Sequence, residues 1–357
     1  MEVFSCKTKI FSGTGAIWEL GQLGCRRVLV VADPFFKATD VPEKLKTAAK
    51  AEDVAFFYDV IPDPTAELAA RGTAEVQRFQ PDTVIALGGG SAIDCAKAMV
   101  YFSGLPVRLV AIPTTSGSGS EVTDFSVLTH GGAKHPLIDP SLQPEVAILD
   151  GNLLHSLPRS LIADAGFDIL AHATESYVAA GAGAISRALA RDAFAAAYTA
   201  LPSSFGGSTG VRQSIHLAAT MAGIAFSQSG LGLCHALSHA FGGRFHTAHG
   251  RLNAIFLPAV IDVNDAAAKE YACLARGVGL GGSADAIAVR NLKNALTRLR
   301  KELQLPATLA EAGIDPRQAT DDSLIEAVLT DPCCAANPVR PDGKLVRRVI
   351  AQVRGHG

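Results

Sequence analysis

The rhythm of apolar and polar positions changes partway along the chain. Short β-branched and aromatic runs come first: RRVLVVAD (26–33), VAFFYDV (54–60), TVIALGGGS (83–91), VRLVAIPTT (107–115) and EVAILD (145–150). Runs of this length and composition predict buried strands. Between them, VPEKLKTAAKAED, PTAELAARGTAEVQRF and AIDCAKAMVYF repeat their apolar residues at helical spacing. Strands alternating with helices predict an α/β domain built on a mostly parallel sheet.

After about residue 156 the β-branched clusters fade. SRALARDAFAAAYTAL, SIHLAATMAGIAF and DAIAVRNLKNALTRLRKEL are Ala- and Leu-rich and are separated by Gly, Pro and Asn. The expected organisation is an α/β domain over residues 1–156 and an all-α domain over 157–357. With no repeat or low-complexity linker in view, the two are expected to pack directly, leaving a cleft for a ligand.

Composition narrows the partners. The 357 residues are 48% hydrophobic and 18% charged, with a net charge of −2. No block of Lys or Arg offers a footprint for nucleic acid or an anionic membrane. MEVFSCKTKIFSG lacks the plan of a signal peptide, and no apolar run approaches the roughly 20 residues of a membrane helix. A cytoplasmic protein that binds small molecules and copies of itself is expected. The seven cysteines are dispersed except for Cys333 and Cys334, and their number is odd. That pattern suits reduced thiols rather than disulfides or a cysteine-zinc site.

Two loops carry candidate binding chemistry. LGGGSAIDCAK places Gly88, Gly89 and Gly90 between a strand and a helix, where bare backbone N–H groups can meet a phosphate. The spacing is not G-x-G-x-x-G, and the alternative is a purely geometric turn in which Ser91 and Asp94 cap the helix. IPTTSGSGSEVTDF follows another strand and offers Thr114, Thr115 and Ser118 to phosphate or ribose oxygens. Two such loops at neighbouring strand ends point to a dinucleotide. Asp33, at the end of the first run, has the chemistry to accept ribose hydroxyls and repel a 2′-phosphate; a turn Asp before Pro34 is the alternative.

The metal-type residues cluster in the second half. Asp168 and His172 are four apart, which places both on one helix face. GLCHALSHAFGGRFHTAHG repeats that spacing in His235 and His239, then adds His246 and His249. Asp168, His172 and two or three of these histidines form a nitrogen- and oxygen-rich set for Fe(II), Zn(II) or a similar ion. Spacing alone does not rank the four. His130, His135, His155, His216 and His356 have no partner at useful spacing.

GGGSAIDCAK, PTTSGSGSE, DILAH followed by ATES, and HALSHAFGGRFHTAHGRLNA together resemble the iron-containing (group III) alcohol dehydrogenase family, in order and through nearly the whole chain. The resemblance implies a Rossmann-like N-terminal domain and a helical C-terminal domain, an architecture shared with dehydroquinate synthase. It implies Asp168, His172, His235 and His249 as metal ligands. His239 becomes a catalytic candidate for proton relay or positioning, and His246 a pocket or supporting group. It further implies NAD contacts from Asp33, Gly88, Gly89, Gly90, Ser91, Asp94, Thr114, Thr115, Ser118, Thr123 and Lys134. Asp63 stands where some relatives carry Asn.

FSGTGAI, IPDPT, AFSQSGLGLCHALSHAFGGRFH and TDPCCAANPVRP resemble most the 1-propanol dehydrogenase branch of propanediol-utilisation microcompartments. The implied activity is NAD-linked interconversion of short primary alcohols and aldehydes, with Fe(II) or Zn(II) as the ion. The implied assembly is a homodimer or larger, with microcompartment shell or enzymes as further partners. Glycerol or another polyol is the nearest rival substrate. A dehydroquinate synthase-like lyase would need more basic residues than Arg187, Arg191, Arg212 and Arg244 supply between His172 and His249. A non-catalytic microcompartment component is disfavoured by the complete ligand set.

Overall fold

The computed structural model describes residues 3–131 and 133–355, so His356 lies outside the described residues. They form two compact units, Ser5–Leu157 and the residues from Pro158 onward, to which residues 3–4 also belong.

The first unit contains strands β1 (Lys9–Ser12), β2 (Arg27–Ala32), β3 (Asp53–Phe57), β4 (Thr83–Gly88), β5 (Arg108–Pro113), β6 (Phe125–His130), β7 (Ala133–Ile138) and β8 (Val146–Leu149). Helices α1 (Val41–Ala49), α2 (Ala66–Phe79) and α3 (Gly90–Ser103) lie between them in sequence. Among the described residues, six strands form one parallel sheet in the order β1-β8-β5-β4-β2-β3. All six residues of β4 are buried, because both faces of the sheet are covered. Val28, Val30, Ile85, Leu87, Val110 and Ile112 pack on Ile17, Leu20 and Leu45. Leu29, Val31, Val84, Ala86 and Leu109 pack on Leu68, Val76 and Met99 on the other side.

Strands β2, β3, β4, β5 and β8 fall on the five predicted runs. β1 and the antiparallel pair β6–β7 were not expected: β1 is four residues long, and β6–β7 is a separate two-stranded ribbon. The consequence for function lies in the order. The chain winds outward in opposite directions from β2 and β4, and in such sheets ligands gather at the carboxyl ends of the strands that flank the reversal.

The second unit is helical: α4 (Arg159–Val178), α5 (Ala184–Phe205), α6 (Arg212–Ser229), α7 (Leu233–Phe245), α8 (His249–Val263), α9 (Ala268–Gly277), α10 (Asp285–Glu302), α11 (Asp322–Thr330) and α12 (Gly343–Val353). α4 packs against α5, α6, α7, α8 and α9 and is buried on almost every side. Polar residues on such a helix are costly unless paired, so Asp168, His172 and Glu175 on α4 mark a site rather than a surface. No single helix among the described residues is long and apolar enough to cross a membrane; α6 and α7 pass together on length and composition but are bent by 105°.

Candidate functional site

Asp168 and His172 project one turn apart from α4, while His235 lies in the first turn of α7 and His249 is the first residue of α8. Donor atoms of Asp168, His235 and His249 all lie within 4.8 Å of one another. From Asp168 Oδ1 the nearest imidazole nitrogens are His249 Nε2 at 3.5 Å, His235 Nε2 at 3.7 Å and His172 Nδ1 at 3.8 Å. His172 stands outside the tight trio, but its ring stacks on that of His235 with centroids 4.4 Å apart.

These separations are too long for hydrogen bonds. They are close to the spacing of about 3.3 Å between tetrahedral ligands that each sit about 2.0–2.1 Å from one ion. Three imidazoles and a carboxylate form a donor set that suits Fe(II) or Zn(II). The residues present therefore fit a divalent ion.

The electrostatics agree with that fit. Burial pushes the Asp168 carboxyl up, but His172, His249 and His235 outweigh it and hold the group well below the usual carboxylate range. Burial, reinforced by the neighbouring imidazoles, pushes His249 well below its ordinary value, so it presents a neutral ring. His235 is the opposite case: burial pulls it down, yet the Asp168 and Glu175 carboxylates raise it to about 9.

Neighbouring residues explain how three helices deliver these side chains. Asn253, one turn after His249 on α8, donates from Nδ2 to Asp168 Oδ1 at 2.8 Å, and its Oδ1 accepts from Ser238 Oγ at 2.6 Å. Arg251 grips Asp164 with two hydrogen bonds, Nε to Oδ1 at 3.2 Å and Nη2 to Oδ2 at 3.0 Å. Between His249 and Arg251, Gly250 lets the α8 backbone press against α4. The sequence His-Gly-Arg-Leu-Asn thus brings together a candidate ligand at His249, a close-approach position at Gly250, a clamp at Arg251 and, at Asn253, a hydrogen bond to Asp168.

The remaining histidines separate by role. His239 donates from Nδ1 to Asp331 Oδ2 at 2.9 Å, and its ring stacks on His249 with centroids 5.1 Å apart. That 2.9 Å contact is a hydrogen bond and is shorter than a ligand-to-ligand spacing, which distinguishes the His239, Asp331 and Cys333 group from that of Asp168, His235 and His249. His246 is exposed and ends α7 in the left-handed conformation, with φ 52°. His246 is thus the residue at which the chain turns from α7 into α8.

In the α/β unit, Asp33, Gly88–Gly90 and Thr114–Thr115 lie at the carboxyl ends of β2, β4 and β5, three adjacent strands. Gly88 has φ +156°, and a Cβ there would lie 2.5 Å from the Ala92 methyl, so only glycine fits. A Cβ on Gly89 would lie 3.0 Å from Thr115 Oγ1, and one on Gly90 would lie 2.9 Å from Ser118 Oγ. The glycine loop and the hydroxyl loop are therefore in contact. α3 begins with no side-chain cap, so neither Ser91 nor Asp94 takes the capping role.

Asp33 accepts a hydrogen bond from Phe35 N at 2.8 Å, the turn arrangement that Pro34 suggested. Asp94 accepts from Ser120 Oγ at 2.5 Å and from Val127 N at 3.0 Å. Thr123 is buried and bonded to Lys97, whose Nζ also donates to Thr123 O at 2.8 Å and Phe125 O at 2.7 Å. Asp94 and Thr123 thus brace the hydroxyl loop. Burial pulls the Lys97 ammonium down to about 8 despite the pull of Asp94. Lys134 pairs with Asp63 at 2.7 Å.

Glu175, Asn253, Asp331 and Lys97 were absent from the expected site. Lys97 in CAKAMV and Asn253 in LNAIF are polar residues in locally apolar stretches, and that signal was present in the sequence; Glu175 in ATESYV and Asp331 in LTDPCC have polar neighbours and carried none.

Comparison with known proteins places this geometry. Residues 7–151 match the iron-containing alcohol dehydrogenase family, and residues 162–353 match the C-terminal part of the Fe-containing alcohol dehydrogenase family. The chain is 38% identical over 370 residues to the 1-propanol dehydrogenase PduQ of Citrobacter freundii, covering 99% of this chain and 100% of that one. It is 35% identical over 362 residues to the NADPH-dependent butanol dehydrogenase of Clostridium saccharobutylicum, covering 94% and 93% of the two chains. The solved iron-containing alcohol dehydrogenase of Thermococcus thioreducens superposes with a TM-score of 0.92 at 32% identity, over 98% of this chain and 99% of that one. The chain belongs to the iron-containing alcohol dehydrogenase family, oxidoreductases that interconvert alcohols and aldehydes with a nicotinamide cofactor.

Proposed function

We propose that this chain interconverts a short primary alcohol and its aldehyde with NAD(H), and that Asp168, His172, His235 and His249 hold the divalent ion. The observation that carries the reading is the set of imidazole nitrogens 3.5–3.8 Å from Asp168 Oδ1. When bound, the ion supplies Lewis acidity to the substrate oxygen and the nicotinamide supplies or accepts the hydride.

The chain's own residues do the rest. Asp168 brings the negative charge, His249 a neutral ring, and Asn253 fixes the carboxylate's orientation. His239 donates its Nδ1 proton to Asp331, which leaves Nε2 to exchange a proton with the reacting oxygen. Gly88–Gly90, Thr114, Thr115 and Ser118 receive the pyrophosphate. Asp33 uses the carboxylate oxygen left over from its turn to accept ribose hydroxyls, and its charge disfavours a 2′-phosphate; hence NAD rather than NADP.

The family supports Fe(II), and the donor set also accepts Zn(II). Likeness to a 1-propanol dehydrogenase supports propanal and 1-propanol as the substrate pair, and placement with a propanediol-utilisation microcompartment. The working form in this reading is a homodimer or larger, in the cytoplasm.

NADH consumption with propanal and with dihydroxyacetone, each with and without added Fe(II) or Zn(II), tests the reading. Metal-stimulated consumption with propanal is expected. A preference for dihydroxyacetone would move the substrate to polyols, and no consumption with either would overturn the activity.

A further inference from the structure

Helix α7 begins at Gly-Leu-Gly-Leu, and its own residues provide no side-chain cap. Its first N–H groups are nevertheless all accounted for, by residues from elsewhere in the chain. Asn337 Oδ1 accepts from Leu233 N at 3.0 Å. Glu175 accepts the others: Gly232 N to Oε2 at 3.0 Å, Cys234 N to Oε1 at 2.7 Å and His235 N to Oε2 at 3.2 Å. Gly232 itself admits no side chain, since a Cβ would lie 2.8 Å from Glu175 Oε1 and 2.7 Å from Asn337 Oδ1.

The fourth bond to Glu175 differs in kind. His235 Nδ1 lies 2.6 Å from Oε2, with both side chains buried to within 2%. A carboxylate only accepts, so Nδ1 carries the proton and Nε2 is the nitrogen left facing Asp168. Glu175 sits on α4, about one turn beyond His172. One carboxylate therefore joins the helix that carries Asp168 and His172 to the end of the helix that carries His235, and selects which nitrogen of His235 is offered.

We infer that Glu175 is a positioning residue for the metal centre: it fixes the His235 tautomer and seats α7 on α4, so that the site is assembled before an ion arrives. This rests on the metal reading proposed above.

The test uses the full-length protein, stripped of metal and reloaded with Zn(II), with affinity read by competition against a chelator. Glu175→Gln is expected to weaken Zn(II) binding about tenfold to a hundredfold. Asn337→Ala, which removes the other external cap without touching the His235 ring, is expected to lower thermal stability and keep the wild-type affinity. Equal affinity in Glu175→Gln and wild type, or an equal loss in both variants, would overturn the inference. Histidine-selective 15N NMR on the Zn(II)-loaded wild type decides the case even if Glu175→Gln fails to fold: a proton on His235 Nδ1 supports it, and a bare Nδ1 refutes it. Wild-type protein that takes up no Zn(II) would instead defeat the metal reading, and this inference with it.

Discussion

A Cβ on Gly250 would lie 1.8 Å from the carbonyl oxygen of Asp164, so α8 and α4 meet at their backbones at this point. The contact lies beside His249 and one turn before Asp168 in the two helices, and Arg251 closes over it by binding the Asp164 carboxylate. Gly250→Ala forces the helices apart. It is expected to cost about 3 kcal/mol or more and to lower bound metal, both read by thermal unfolding and metal analysis of purified protein. A variant with wild-type stability and metal content would show that the close approach is dispensable.

Asn253→Leu keeps the bulk of the side chain and removes the donor to Asp168 and the acceptor for Ser238. Metal affinity is expected to fall about tenfold to a hundredfold, measured by chelator competition. NADH binding, followed by fluorescence, is expected to stay at the wild-type level.

Gly89→Val has the converse signature. The added side chain collides with Thr115 and fills the space over the uncapped start of α3. The Kd for NADH is expected to rise tenfold or more, about 1.4 kcal/mol or greater, with metal content unchanged. Unaltered NADH binding would remove the glycine loop from the cofactor site.

Lys97 gives a pH signature in folding. Its ammonium is held at about 8 in the folded chain, against about 10.4 in an unfolded one. Between those values the unfolded chain binds a proton that the folded chain has released. This residue therefore favours folding increasingly as pH rises through that window, by up to about 1.4 kcal/mol per unit; below it the contribution is absent. Urea unfolding of wild type and Lys97→Met at about pH 7.5 and about pH 9.5 should show the difference moving in favour of wild type at the higher pH. A difference that does not change with pH would contradict the burial of this charge.

Strand β4, the glycines after it and strand β5 were legible because fully buried strands write continuous apolar runs, and tight strand-to-helix turns demand glycine. The pairs Asp168/His172 and His235/His239 were legible because four-residue spacing on a helix is a local property. Selecting His235 and His249 from the four clustered histidines took the family resemblance, since spacing does not rank them. What stayed hidden was long-range. Glu175 meets His235 across 60 residues, and Asp331 meets His239 across 92. No periodicity encodes such partners. Position alone left Ser91 and Asp94 open between cofactor contact and helix cap, and the tertiary contact of Asp94 with Ser120 and Val127 is invisible to it.

His249→Ala tests the central assignment most directly, because it deletes one donor from the start of α8 and leaves the α/β unit untouched. Metal content, NADH binding and propanal-dependent NADH oxidation are measured on the same preparation. Lost metal and lost turnover with NADH binding retained are the expected results. Wild-type turnover and metal content in that variant would show that His249 does not hold the ion.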